Sequence, residues 1–92
     1  MRVPSRNLTA ADAGIMKALI AAGWLQSDIA SLLGCNIGRV SEIANGLRFA
    51  DVLEADTSEN AVRARIAEIQ AAWALRISRQ VAALLKSTGA ML

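Results

Sequence analysis

The 92-residue chain carries ten basic and eight acidic residues, no histidine and one cysteine, for a net charge of +2. Without histidine and with a single thiol, most hydrolytic triads, zinc sites and internal disulfides are excluded. Nothing in the chain points to an enzyme, and no cofactor, metal or small-molecule ligand is expected.

Hydrophobic residues make up 54% of the chain but aromatics only 3%. Ala, Leu, Ile and Val therefore supply the apolar surface, and Ala at this level favours helix. The length allows one domain, or one small domain with an extension. The charge is unevenly spread. Residues 1–50 hold five bases and three acids, residues 51–59 hold four acids and no base, and the remainder holds five bases against Glu68. Cys35 is expected as a small buried apolar residue. The start, "MRVPSRN", is polar, and the longest apolar run, "ALIAAGWL", is too short to span a bilayer. A cytoplasmic protein without membrane contact is expected.

The first helix is expected from Thr9, where Thr9 and Asp12 have the spacing of a capping box. Ile15, Met16, Leu19 and Ile20 form its apolar face, and Gly23 ends it. The second is "QSDIASLLG", with Ile29, Ala30, Leu32 and Leu33 inward and Asp28 near the positive end of the dipole. Leu25 stands where a capping Ser or Thr belongs. Gly34 closes this helix. The third begins at Asn36, a strong N-cap, and stops at Asn45-Gly46. Ile37, Val40, Ile43 and Ala44 share one side of it. Gly38, Glu42 and Asn45 point the other way, flanked by Arg39 and Ser41.

"LRFADVLEADTSE" reads as a loop, or a loop with a single turn, and Leu47 and Phe49 are expected to anchor it to the core. A second capping box, from Asp56 to Glu59, opens a fourth helix running from about Thr57 to Lys86 and stopping at Gly89. Val62, Ile66, Ile69, Trp73, Ile77, Val81 and Leu84 form one stripe. Their spacing averages about 3.7, which suits a nearly straight helix pair. Ala64, Ala71, Leu75 and Ala82 line much of the other side, among Glu68, Arg79 and Lys86. Trp24 and Trp73 are expected in core or interface packing. Arg63, Arg65, Arg76 and Arg79 are expected on a solvated face.

The stretch "QSDIASLLGCNIGRVSEIANG", residues 26–46, resembles the helix-turn-helix of bacterial and phage DNA-binding proteins, including repressors and the DNA-binding parts of recombinases. It follows the pattern Gln-x-x-Ile-Ala-x-x-x-Gly with a capped helix after it. The resemblance implies an all-α protein. Residues 1–52 would form a three-helix DNA-binding unit, and residues 53–92 an acidic linker and a long dimerisation helix. It also implies that the third helix enters the major groove of double-stranded DNA. There Arg39 would pair with guanine, Asn45 with adenine or a phosphate, and Glu42 with cytosine N4. Ser41 would lie beside them, and Gly38 would permit close approach. Gln26, Ser27 and Asn36 would meet phosphate at helix N-termini, and Arg48 would clamp another.

The stripe on the fourth helix is expected to join two copies, since a body of about fifty residues offers it little cover. The expected function is a sequence-specific transcriptional regulator acting as a homodimer. A DNA-packaging factor of the small-terminase kind, or a recombination accessory factor, is the first alternative. A protein-interaction module using the acidic segment and the long helix is the second.

Overall fold

The computed structural model describes residues 8–87. Within them the chain is all-helical, three short helices followed by one long one. They are α1 (Ala10–Ala21), α2 (Gln26–Leu33), α3 (Ile37–Ala44) and α4 (Asn60–Ser87). The expected stop at Gly89 lies outside the described residues.

The caps form where the sequence places them. Asp12 N–H donates to Thr9 Oγ1, and Thr9 N–H donates to Asp12 Oδ2, each at 3.2 Å. Two donors without helical partners are thereby satisfied at the start of α1. α2 begins at Leu25 with no side-chain cap. It ends at Gly34, whose φ of 69° is the left-handed turn that turns the chain toward α3. Asn36 caps α3, its Oδ1 accepting from Gly38 N–H at 2.9 Å.

Met16, Ile29, Leu33, Val40 and Ile43 form the centre of the core, where α1, α2 and α3 meet. α4 packs against α1 and α2 and leaves α3 clear. Ile69 is buried in that contact, and Val62 and Ile66 pack at its edge. The stripe on α4 is therefore divided. Its first three residues pack on the core of their own chain, Ile69 buried and Val62 and Ile66 partly so. The reason is geometric: the loop returns α4 across the α1–α2 pair, and the unit itself supplies the cover. Trp73 stands at the boundary, and Ile77, Val81 and Leu84 extend beyond it into solvent.

Four other expectations change. α4 starts at Asn60 rather than near Thr57. Asp56 caps a turn before it, accepting from Ser58 N–H at 2.9 Å and Ser58 Oγ at 2.6 Å, and these bonds lower the Asp56 pKa. Leu47 is exposed, while Phe49 packs on the core with a positive φ of 54°. Cys35 is only partly buried. On α3, Val40 and Ile43 are buried, but Ala44 is exposed and Ile37 is 50% exposed. The α3 contact with α1 and α2 is made by Val40 and Ile43, and the first turn stands outside it.

Long-range polar contacts hold the pieces together. Lys17 Nζ donates to the carbonyls of Phe49 at 2.7 Å and Val52 at 2.6 Å, pinning the loop to α1. Ala55 N–H donates to Gly14 O at 3.0 Å. A Cβ on Gly14 would meet Leu53 O at 3.1 Å, so a side chain there would push the loop off α1. Asp12, fully buried, accepts from Arg65 Nη2 at 2.9 Å and Nε at 3.2 Å. Arg65 also pairs with Glu68 at 3.0 Å. Arg76 Nη2 donates to the carbonyls of Ser31 and Leu32 at 2.8 and 3.0 Å. It thus places a cation on the last turn of α2, where carbonyls lack helical partners. Arg65 and Arg76 are structural ties rather than members of a solvated face.

Candidate nucleic-acid interface

α3 presents a polar surface on the side opposite its buried Val40 and Ile43. Arg39 is half-buried, and its Nη1 donates to Glu42 Oε1 at 2.8 Å. The Nε of Arg48, just past the helix, lies 3.7 Å from the same carboxylate oxygen. Glu42 therefore draws in both cations of this face. The pairs are one-third to one-half exposed. They contribute little to folding and exchange readily for another anion.

Asn45 Nδ2 donates to Ser41 Oγ at 3.4 Å, so these two side chains share one edge of α3. Gly38 lies in the first turn, and a Cβ there would sit 3.4 Å from the capping oxygen of Asn36. Asn36 is occupied as a cap, with its side chain at the surface beside that turn. Gln26 and Ser27 open α2, in the turn whose backbone N–H groups lack helical acceptors. Gln26 is half-buried and Ser27 exposed.

The expected residues thus fall into two groups. Gly38, Arg39, Ser41, Glu42, Asn45 and Arg48 belong to α3 and its exit. Gln26, Ser27 and Asn36 sit at helix starts. Ile37 was not expected among them. Its exposed branched side chain next to Gly38 offers an apolar contact of the kind that meets a thymine methyl group. The only sequence signal for it is its position at the very start of α3, where the packing face has not yet begun.

The surface offers two planar guanidiniums, three carboxamides, two hydroxyls, a carboxylate and a branched apolar side chain. Among the described residues no group of histidine, cysteine and acidic side chains is arranged to hold a metal. No described helix is long and apolar enough to cross a membrane.

The seven residues expected to join copies do not lie on one free face. Val62, Ile66 and Ile69 face the core of their own chain. Trp73, 37% exposed, donates from its indole Nε1 to Ser31 Oγ at 3.3 Å. Ile77, Val81 and Leu84 are exposed. No protein-family model, curated protein or solved structure matches this chain.

Proposed function

We propose that this chain is a sequence-specific double-stranded DNA-binding transcriptional regulator that acts as a homodimer and lays α3 in the major groove. The observation that carries the reading is the disposition of α3. It is short, capped by Asn36, buried on one side through Val40 and Ile43, and left clear by α4 on the other. A helix so placed has its polar surface free to meet base edges.

In this reading Arg39 addresses guanine, Asn45 adenine or a phosphate, and Ile37 a thymine methyl. Glu42 accepts from cytosine and repels a badly seated phosphate. Gln26, Ser27, Asn36 and Arg48 hold the backbone, through a helix start or a charge. The modest charge of each copy supports a dimer, since two units double the phosphate contacts and read two half-sites.

Selection of bound fragments from random duplex DNA tests the reading, and a palindromic consensus is the expected result. Affinity should also fall with salt, with a slope matching roughly four to six effective charges per dimer. Binding with no salt dependence would replace this reading with the protein-interaction module. The exposed end of α4 favours one second reading, a DNA-packaging or recombination accessory factor of higher order. A ring of more than two copies in solution would select it.

A further inference from the structure

Two exposed apolar features adjoin each other on α4. One is its far end, where Ile77, Val81, Leu84 and Leu85 are exposed. The other is an open groove of about 520 Å³ between α2 and α4, lined by Trp24, Leu32, Gln70, Trp73 and Ala74 among others. They are continuous along the helix. Gln70, Trp73, Ile77, Val81 and Leu84 follow one another at spacings of three, four, four and three. At about 100° per residue these five fall within a sector of about 80°.

That spacing reads the same from both ends and is centred on Ile77. A helix laid antiparallel against this face brings Gln70 opposite Leu84, Trp73 opposite Val81, and Ile77 opposite itself. We propose that a second copy of this chain lies antiparallel on this face, with the twofold axis at Ile77 and its Val81 and Leu84 seated in the Trp24–Trp73 groove. The proposal rests on the homodimer reading above and specifies its seat.

Three observations favour this occupant. A parallel pair would cover the two far ends with each other and leave both grooves open, whereas the antiparallel pair fills both grooves with both ends. The indole N–H of Trp73 is already satisfied by Ser31, so its carbon surface can be buried without stranding a donor. The charges of this half of α4, Arg76, Arg79 and Lys86, fall at least about 60° outside the sector, and Asp28, which lines the groove from α2, has no acidic residue opposite it in the partner's stripe, so the seam brings no like charges together. About four turns of helix from each copy, with the groove residues, cover on the order of 600–800 Å² per chain, close to a standard-size interface.

Disulfide trapping tests the register without DNA. Gln70→Cys and Leu84→Cys are made separately in a Cys35→Ser background; both positions are exposed, so folding is spared. Alone, each thiol would lie about 21 Å from its copy in the partner, fourteen residues away along the helix. Mild oxidation should leave each variant unlinked, while an equilibrated mixture of the two should yield a covalent heterodimer. Self-linking by each single variant would establish a parallel pair and overturn the proposal. An unlinked mixture would overturn it as well. Because the readout needs no DNA, a correct link in a protein that fails to bind duplex would discard the regulator and keep the seat. Tight duplex binding without the link would do the reverse.

Discussion

Arg39 and Glu42, one turn apart on α3, are joined at 2.8 Å across the surface proposed to meet DNA. The same carboxylate reaches toward Arg48. Only the Nη1 of Arg39 is engaged there, so Glu42 competes with a base or a phosphate for the guanidinium. Glu42→Gln keeps the shape of the side chain and releases both cations. Affinity for all duplexes should rise several-fold at low salt, and the ratio of specific to scrambled binding should fall. Folding stability should change by no more than about 1 kcal/mol, because the pairs are solvent-exposed. Titrations on a matched and a scrambled duplex decide it, and unchanged affinity on both would place Glu42 outside the interface.

Arg39→Ala should cost about 1–3 kcal/mol on the specific site and relax preference at one base pair. The comparison is again between matched and scrambled duplexes. Equal losses on the two would make Arg39 a phosphate contact rather than a reader of sequence.

The tie between α1 and α4 is a matter of folding. Arg65→Ala would leave the Asp12 carboxylate buried with Arg65 gone from beside it. The loss should be about 2–3 kcal/mol, below that of a wholly buried pair because Arg65 keeps a third of its side chain in water. Adding Asp12→Asn should return some of it. Hydrogen bonds with Asp12, then Glu68, raise the Arg65 pKa. The charged guanidinium's contribution is full below its unfolded value and is lost only above the folded one. Raising the pH through the ordinary alkaline range should therefore not loosen the tie. Urea unfolding at several pH values measures both effects.

Leu25 opens α2 in extended conformation, mostly exposed and without a capping bond. Leu25→Ser should stabilise the fold by about 0.5–1 kcal/mol by giving an N–H of the first turn an acceptor. The thermal midpoint reports it, and a fall would mean that the leucine side chain packs on something the cap cannot replace.

What could be read from the sequence, and what could not, divides along chain distance. Thr9 with Asp12, Gly34, Asn36 and Asn45-Gly46 act within a few residues of themselves, and their patterns locate α1, α2 and α3 closely. The polar side of α3 follows from the same local periodicity. Arg65 and Arg76 could not be read this way, because their partners Asp12, Ser31 and Leu32 lie more than forty residues away. Periodicity also could not tell which stretch of the α4 stripe the chain covers itself. That depends on where the loop returns the helix, and the return is set by Lys17 and Gly14. Ile69 illustrates the difference: it is 5% exposed in its own chain. A charge placed there should unfold the unit, whereas the same change at Val81 should leave the unit folded and act only on the proposed pairing of copies. Ile37 escaped for the opposite reason, since an apolar residue at the edge of a short helix keeps the pattern of a core residue without reaching the core.

The ammonium of Lys17, held between the carbonyls of Phe49 and Val52, makes the segment between α3 and α4 an elbow tied to α1 at two points. In the proposed dimer two such elbows would act as the jaws of a caliper. The gap between its two α3 helices would then be set by the chain itself, and a DNA target would have to match that gap. An inserted residue between Val52 and Ala55 would reset the gauge without touching a single recognition side chain, so new targets would be reached by re-spacing as readily as by re-lettering.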